Sequence, residues 1–150
     1  MRSVPNARAL AVREQRPDDA AKLESMGFDY RVRGGKDTRI FVAEENGQII
    51  AAGCGIAPIA GDTAMLGRIE VLQPLHADRG AFVEVLAALV ERAIEMGFKL
   101  GEAHVPLKHR LVIQFLREHF GLEPKPSMLG SNLCRYRVNL KDFLRRLQAA

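Results

Sequence analysis

The stretch LQPLHADRGAFVEVLAALVERAIEMGF, residues 72–98, predicts a helix between two strands. Arg79-Gly80 stands where the helix should begin, and Gly97 stands where it should end. Apolar residues recur every three or four positions, which predicts an amphipathic helix over residues 80–96. They form one wide stripe, made of Phe82, Leu86, Leu89, Ala93 and Met96 and flanked by Val83, Ala87, Val90 and Ile94. A stripe of this width indicates packing against a sheet.

A predicted strand lies on each side of this helix, over residues 64–72 and 98–105. The order strand, helix, strand is typical of a βαβ unit, so these two strands should be parallel neighbours. Asn46-Gly47 predicts a hairpin between residues 39–44 and 48–57, because this turn pair tolerates positive φ. Within the second hairpin strand, the motif at residues 53–55, Gly-Cys-Gly, indicates a bulge or a close backbone approach rather than a dinucleotide loop.

The same periodicities predict the remaining elements. They are a strand at residues 9–14, a helix at 17–27, a basic loop at 29–38, a helix at 108–119, a strand at 131–140 and a short helix at 141–148. The last strand alternates, with Cys134, Tyr136 and Val138 on one side and Arg135, Arg137 and Asn139 on the other. We therefore expect one α/β (α+β) domain over residues 1–150, with a mixed, mostly antiparallel central sheet flanked by helices.

Composition places the chain among ordinary globular proteins. It has 150 residues, of which 47% are hydrophobic and 27% are charged. Cys54 and Cys134 are too few for a disulfide framework or a four-ligand zinc site, and Cys54 is expected to be a buried free thiol. No apolar run approaches the roughly 20 residues that cross a bilayer, and no signal-peptide core is evident. The expected location is a reducing cytoplasm, away from membranes.

The net charge of +4 mildly favours an anionic partner, such as a phosphorylated cofactor, an acidic substrate or nucleic acid. Nucleic acid is not the expected partner, because only two Tyr and no Trp are available for stacking and no binding motif is present. His104, His109 and His119 lack ligand-like spacing with Cys or carboxylates, so we expect no metal site.

The order of elements resembles the GNAT-type N-acetyltransferase superfamily over nearly the whole chain. Three segments carry the resemblance. VLQP, residues 71–74, ends a long strand, and ADRGAF, residues 77–82, is in register with a family loop of the form Gln/Arg-x-x-Gly-x-Gly/Ala. ERAIEMGFKLGEAHV, residues 91–105, is similar to the family's helix end, Gly and next strand. FLREHFGLEP, residues 115–124, is similar to its Phe-Tyr-x-x-x-Gly-Phe segment.

The resemblance implies that acetyl-CoA is the co-substrate and that a small-molecule or peptide amine accepts its acetyl group. A helix start offers backbone N–H donors to a pyrophosphate, Gly80 permits close approach, and Arg79 adds a cation that can fork onto two oxygens. The residues that the resemblance assigns to the cofactor are Val71, Leu72, Arg79, Gly80, Ala81, Phe82 and His109. A plain helix start, with a solvated Arg79, remains an alternative.

Two residues are the catalytic candidates under this resemblance. Glu70 could accept the amine proton through water, and His104 is similar in position to polar residues near family acceptor sites. The alternatives are an ion-paired or edge-facing Glu70 and a structural His104 whose ring is satisfied by backbone groups.

Three departures from the family pattern support a second hypothesis. Ala77 replaces the usual Gln or Arg, Phe82 replaces a small residue, and Leu116 replaces the Tyr that often protonates the departing thiolate. On the helix stripe Phe82 belongs to the core, whereas facing outward it would crowd a pyrophosphate. The second hypothesis is a catalytically inactive GNAT-like domain that acts as a binding or assembly module. The last predicted strand could also pair across a homodimer.

Overall fold

A computed structural model describes residues 10–25, 39–71 and 79–149. In chain order, the elements are β1 Leu10–Glu14, a 3-10 turn Pro17–Asp19, α1 Ala20–Ser25, β2 Arg39–Glu45, β3 Gln48–Ala60, β4 Thr63–Val71, α2 Arg79–Glu95, β5 Leu100–Pro106, α3 Arg110–Phe120, β6 Lys125–Pro126, β7 Leu133–Asn139 and α4 Leu140–Ala149. Every predicted helix and strand is present where the chain is described. The predicted loop at residues 29–38 and the Gly27 helix stop lie outside the described residues.

The strands form one sheet in the order β1-β2-β3-β4-β5-β7-β6. Within the described residues, β4 and β5 are the parallel pair and the other neighbours are antiparallel. The predictions of a mixed, mostly antiparallel sheet and of a βαβ unit are therefore confirmed. Asn46 and Gly47 have φ angles of 55° and 77°, as the hairpin turn requires.

The parallel ladder between β4 and β5 is short. It joins Thr63 to Leu100, Ala64 to Gly101 and Met65 to Glu102. In the described part of the chain, no ladder joins the remaining residues of β4 to those of β5, so the two strands part toward their carboxyl ends. The register between β3 and β4 also shifts between Gly53 and Gly55. Two steps along β3 face three steps along β4, from Ile69 to Leu66, so the extra residue lies in β4 rather than in the predicted Gly-Cys-Gly motif, and a bulge bends its strand.

Helix α2 packs on one face of the sheet, against β1, β2, β3 and β4, and it also contacts α4. The predicted stripe is buried or half-buried, and Leu89, Val90 and Ala93 are fully buried. Ala81 and Val85, which lie outside the predicted stripe, are fully buried as well. The buried surface of α2 is thus wider than the sequence pattern indicates, because helix packing adds to sheet packing.

The opposite face of the sheet carries α1. Leu23 packs there with Val42, Ile49 and Ala52. An ionic network holds the turn before α1 to β1 and β2. The Arg13 guanidinium donates to both carboxylate oxygens of Asp19, at 2.8 and 3.0 Å, and its Nε donates to Glu44. The Arg13 hydrogen bonds lower the pKa of the Asp19 carboxyl below its ordinary value, against the opposing effect of burial.

We expect Leu89→Ala to lower the free energy of unfolding by about 2–5 kcal/mol, because it leaves a cavity under the centre of α2. Urea denaturation monitored by circular dichroism measures the change. Glu91→Ala, on the exposed side of the same helix, is the matched control and should change stability by less than about 0.5 kcal/mol. Equal effects of the two substitutions would contradict the packing described for α2.

Asp19→Asn should destabilise the protein by about 1.5–3 kcal/mol at pH 7, because it removes a charged partner of Arg13. The folded-state pKa of Asp19 is lowered, so its contribution is complete above the unfolded value of about 3.9 and is lost as pH falls through the folded value. The urea midpoints of the wild type and of Asp19→Asn should therefore converge below pH ~4. Asp18→Asn, at an exposed neighbour, should track the wild type throughout, and a pH-independent gap for Asp19→Asn would refute this account.

Candidate active site at the diverging ends of β4 and β5

The carboxyl ends of β4 and β5 lie at one edge of the sheet because the two strands are parallel. Helices α2 and α3 follow these strands and begin at Arg79 and Arg110, so both helix starts belong to the same edge. The predicted site residues that this edge gathers are Glu70, Val71, Arg79, Gly80, Ala81, Phe82, His104 and His109. Leu72 lies outside the described residues.

The first turn of α2 has one exposed position that two buried ones follow. Gly80 is exposed, whereas Ala81 is fully buried and Phe82 is 4% exposed. The Phe82 ring meets the Phe115 ring of α3 edge-on, with a centroid distance of 5.8 Å and an interplanar angle of 86°. The Phe82 side chain therefore belongs to the core. It does not crowd the exposed start of α2, and what Phe82 can offer a ligand there is its backbone N–H.

No tyrosine acid stands at the position where the family resemblance would place one. Leu116 is buried in the core. Tyr136 is buried on the helix side of β7, and its hydroxyl has no hydrogen-bond partner among the described residues. Burial raises the pKa of Tyr136, which makes its hydroxyl a weaker acid still.

His104 has two side-chain partners. Its Nδ1 lies 2.7 Å from the Ser127 hydroxyl, and its Nε2 lies 3.0 Å from the Glu102 carboxylate. The His104 side chain is 8% exposed. Glu102 is also 3.5 Å from Nε of Arg137 and 4.0 Å from a terminal nitrogen of Arg135. The structural alternative for His104 envisaged backbone partners, whereas both ring nitrogens are engaged by side chains.

Strand alternation explains why these residues meet. On β5, Ala103 and Val105 pack against the helical core, which leaves Glu102 and His104 on the opposite face. Residues directly opposite each other in antiparallel strands share a face, and β7 places Arg135 opposite His104 and Arg137 opposite Glu102. The face of β5 and β7 away from α2 thus carries a polar cluster.

Sequence reasoning identified His104 and the alternating arginines of β7 but missed Glu102 and Ser127. The Glu102-x-His104 spacing on a predicted strand was a usable signal, because it puts both side chains on one face. No local pattern could assign Ser127. It reaches His104 from the loop between β6 and β7, and β6 itself is only two residues long.

The partners fix the direction of the hydrogen bonds around His104. A carboxylate only accepts, so Nε2 carries the ring proton and donates it to Glu102. In the neutral ring Nδ1 is then an acceptor, and the Ser127 hydroxyl donates to it. The Leu129 N–H donates to the Ser127 oxygen at 3.0 Å. In this neutral tautomer the hydroxyl proton of Ser127 points at Nδ1, a base that a carboxylate orients.

The other predicted site residues lie on other elements than this cluster. Glu70 and Val71 pair in register with Ala52 and Ala51 of β3. His109 precedes α3. Its N–H donates to the Pro106 carbonyl at 2.9 Å, its carbonyl accepts from the Ile113 N–H, and its side chain makes no capping hydrogen bond.

One groove in the described part of the chain lies away from the predicted site residues. A groove of about 620 Å³ lies between α2, β1 and the end of α4, and none of the predicted site residues line it. Within residues 10–25, 39–71 and 79–149, no group of three His, Cys, Asp or Glu residues could hold a metal ion. None of the helices in these ranges has the length and apolarity that crossing a membrane requires.

Comparison with protein-family models and with curated proteins finds no match. Among solved structures, the chain is similar to a protein assigned to the GNAT family of acetyltransferases from Desulfovibrio desulfuricans, at 20% identity and a TM-score of 0.64, over 88% of this chain and 99% of that one. It is similar to a mutant of the spermidine N-acetyltransferase SpeG from Vibrio cholerae, at 13% identity and a TM-score of 0.67, over 91% and 97%.

A nourseothricin acetyltransferase is similar at 17% identity and a TM-score of 0.65, over 88% of this chain and 99% of that one. At identities this low, the likeness shows the fold and leaves the activity open. The chain therefore has the fold of the GNAT-family acetyltransferases.

Proposed function

We propose that the chain is an acetyl-CoA-dependent N-acyltransferase that moves an acetyl group to a primary amine of a small molecule or peptide. The observation that carries the proposal is the short ladder between β4 and β5. The ladder ends at Met65 and Glu102. Beyond this pair, the backbone groups of β4 and β5 that face each other are not paired in a ladder between the two strands. An extended thiol arm could enter between the strands there. The structural neighbours include enzymes named for spermidine and nourseothricin acetylation.

The cofactor's pyrophosphate would lie at the first turn of α2, from Arg79 to Phe82. Helix starts present N–H donors and a partial positive charge to an anion. Gly80 is exposed and lacks a side chain that would block approach. Burial of the Phe82 ring removes the steric objection to this assignment. Val71 and Leu72 would border the thiol arm, and His109 would meet it from the start of α3.

Acetyl transfer requires a neutral amine to attack the thioester carbonyl and a thiolate to leave. Glu70, acting through water, and His104 are the proposed bases, one on each side of the strand opening. No side-chain acid stands at position 116. A thiol with a pKa near the ordinary value of about 8.5 can leave partly unprotonated, so the missing acid would cost about 10²-fold rather than all activity.

The buried Leu116 also favours a second candidate, a domain that binds a ligand or partner without transferring an acyl group. Under either proposal the protein would work in the cytoplasm. A homodimer could form along β7, because β6 pairs only with Cys134 and Arg135 on its outer side.

Gly80→Val should weaken acetyl-CoA binding at least tenfold, equivalent to about 1.4 kcal/mol, because the new side chain would block close approach of the pyrophosphate. Isothermal titration calorimetry measures the dissociation constant. Glu91→Val places the same side chain on the exposed face of α2, away from its start, and should leave the affinity unchanged. No heat and no thermal shift at millimolar acetyl-CoA would leave the Arg79-Gly80 joint as a plain helix start.

A panel of polyamines, aminoglycosides, amino acids and peptide N-termini separates the enzyme from the binding module. An enzyme should release free thiol from acetyl-CoA above background with at least one acceptor class, and His104→Gln should lower that rate. Thiol-reactive dye absorbance follows the release. Binding of acetyl-CoA without thiol release for any acceptor would favour the binding module.

A further inference from the structure

We propose that Ser127 is an activated serine that takes an acyl group from a small aliphatic ester or thioester. The Ser127 hydroxyl, the His104 ring and the Glu102 carboxylate form a continuous chain with links of 2.7 and 3.0 Å. The same three chemical roles, nucleophile, base and orienting carboxylate, define the triad of serine hydrolases. Here Nδ1 of His104 faces the serine and Nε2 faces the carboxylate. This is the reverse of the arrangement in serine hydrolases, and the three chemical roles stay the same. This activity does not require acetyl-CoA and goes beyond the N-acyltransferase proposed above.

Within this hydrogen-bond chain, the atom that attacks a substrate is the Ser127 oxygen and not a ring nitrogen of His104. Both ring nitrogens are occupied and the His104 side chain is 8% exposed, so a reacting group meets the ring from the Ser127 side, where Nδ1 lies. Ser127 is only half-buried. The two residues that follow it, Met128 and Leu129, are 94% and 65% exposed. The loop therefore brings a hydroxyl that hydrogen-bonds to a base close to solvent.

The proposed reaction balances without an added oxidant or metal. The Ser127 oxygen bonds to the acyl carbonyl carbon while its proton passes to Nδ1 of His104. Glu102 stabilises the resulting imidazolium. The carbon–oxygen or carbon–sulfur bond to the leaving group then breaks, and the leaving group takes the proton from His104. Water hydrolyses the acyl-serine by the same transfers and restores the hydroxyl.

Arg135 supplies a donor for the oxyanion that develops on the carbonyl. It lies directly opposite His104 on β7. Its Nε is buried and has no hydrogen-bond partner among the described residues. A buried donor left unpaired is costly and calls for an explanation. A substrate oxyanion would satisfy it, and the arginine charge would stabilise the oxyanion further.

Exposed apolar side chains near Ser127 select the acyl group. Met128 and Leu129 are in the same loop as Ser127. Leu107 lies beside this loop, because its N–H donates to the Asn132 carbonyl, and its side chain is 49% exposed. An aliphatic acyl chain would cover part of this surface. Short aliphatic esters should therefore react faster than esters of charged acids.

An alkyl fluorophosphonate, applied without acetyl-CoA, tests the proposal. The full chain should gain the mass of one adduct, and fragment-ion mass spectrometry should place it on Ser127. Ser127→Ala should remain unlabelled, whereas Ser131→Ala, which alters an exposed serine of the same loop, should label like the wild type. No adduct on the wild type, under conditions that fully label a known serine hydrolase, overturns the proposal. An adduct located elsewhere overturns it equally.

Labelling and cleavage rates distinguish a role of His104 in catalysis from a role in folding. His104→Gln keeps a side chain that can hydrogen-bond to Ser127 and Glu102 but cannot act as a base. It should lower the labelling rate and p-nitrophenyl butyrate cleavage at least about 100-fold, with an unchanged thermal midpoint. A His104→Gln protein that folds and labels at the wild-type rate overturns the proposal. Because the assay omits acetyl-CoA, its result stands apart from the test of the N-acyltransferase.

Discussion

Packing of α2 against α4 holds the molecule together across its weakest point. The ladder between β4 and β5 contains three residue pairs, so the sheet by itself barely connects its two halves. Helix α2 lies on β1 to β4, α4 contacts β7, and the two helices contact each other. Leu89 and Val90 of α2, and Leu140 and Phe143 of α4, belong to one continuous apolar core. Hydrophobic burial thus supplies the connection that backbone pairing leaves incomplete.

Because the helices join the two halves of the sheet, β4 and β5 can remain unpaired toward their carboxyl ends. Unpaired backbone groups between two strands would ordinarily be costly. Where a core of helices joins the halves, the strands can part without the sheet falling into two pieces. The opening then lies beside the starts of α2 and α3, where backbone donors and positive dipole ends are available to an anionic ligand.

The two faces of β5 and β7 differ chemically, because the helical core packs on one of them. The face under the helices holds Ala103, Val105, Cys134 and Tyr136, and its one hydroxyl is buried away from partners. The other face carries Glu102, His104 and the two β7 arginines. Glu102 pairs with His104 and with both arginines, whereas Nε of Arg135 keeps no partner among the described residues. Ser127 lies at the accessible end of the hydrogen-bond chain.

The sequence by itself determined the helices and strands, their order along the chain and the parallel pairing within the βαβ unit. Period-3.6 and period-2 patterns, Asn46-Gly47, and Gly121 at a φ of 64° after α3 are local signals, and local sterics enforce them. The sequence also predicted that the strands before and after α2 would be parallel neighbours, because a helix connects them, and the ladder between β4 and β5 confirms this.

Only the tertiary structure decided where the side chains at that edge point and what they touch. Phe82 could face a ligand or the core, and the ring of Phe115, 33 residues later in the chain, settled that choice. Ser127 meets His104 across 23 residues through a loop that has no periodic signal. Contacts of this kind depend on how the helices and strands pack, and that packing is a property of the whole chain rather than of any short segment.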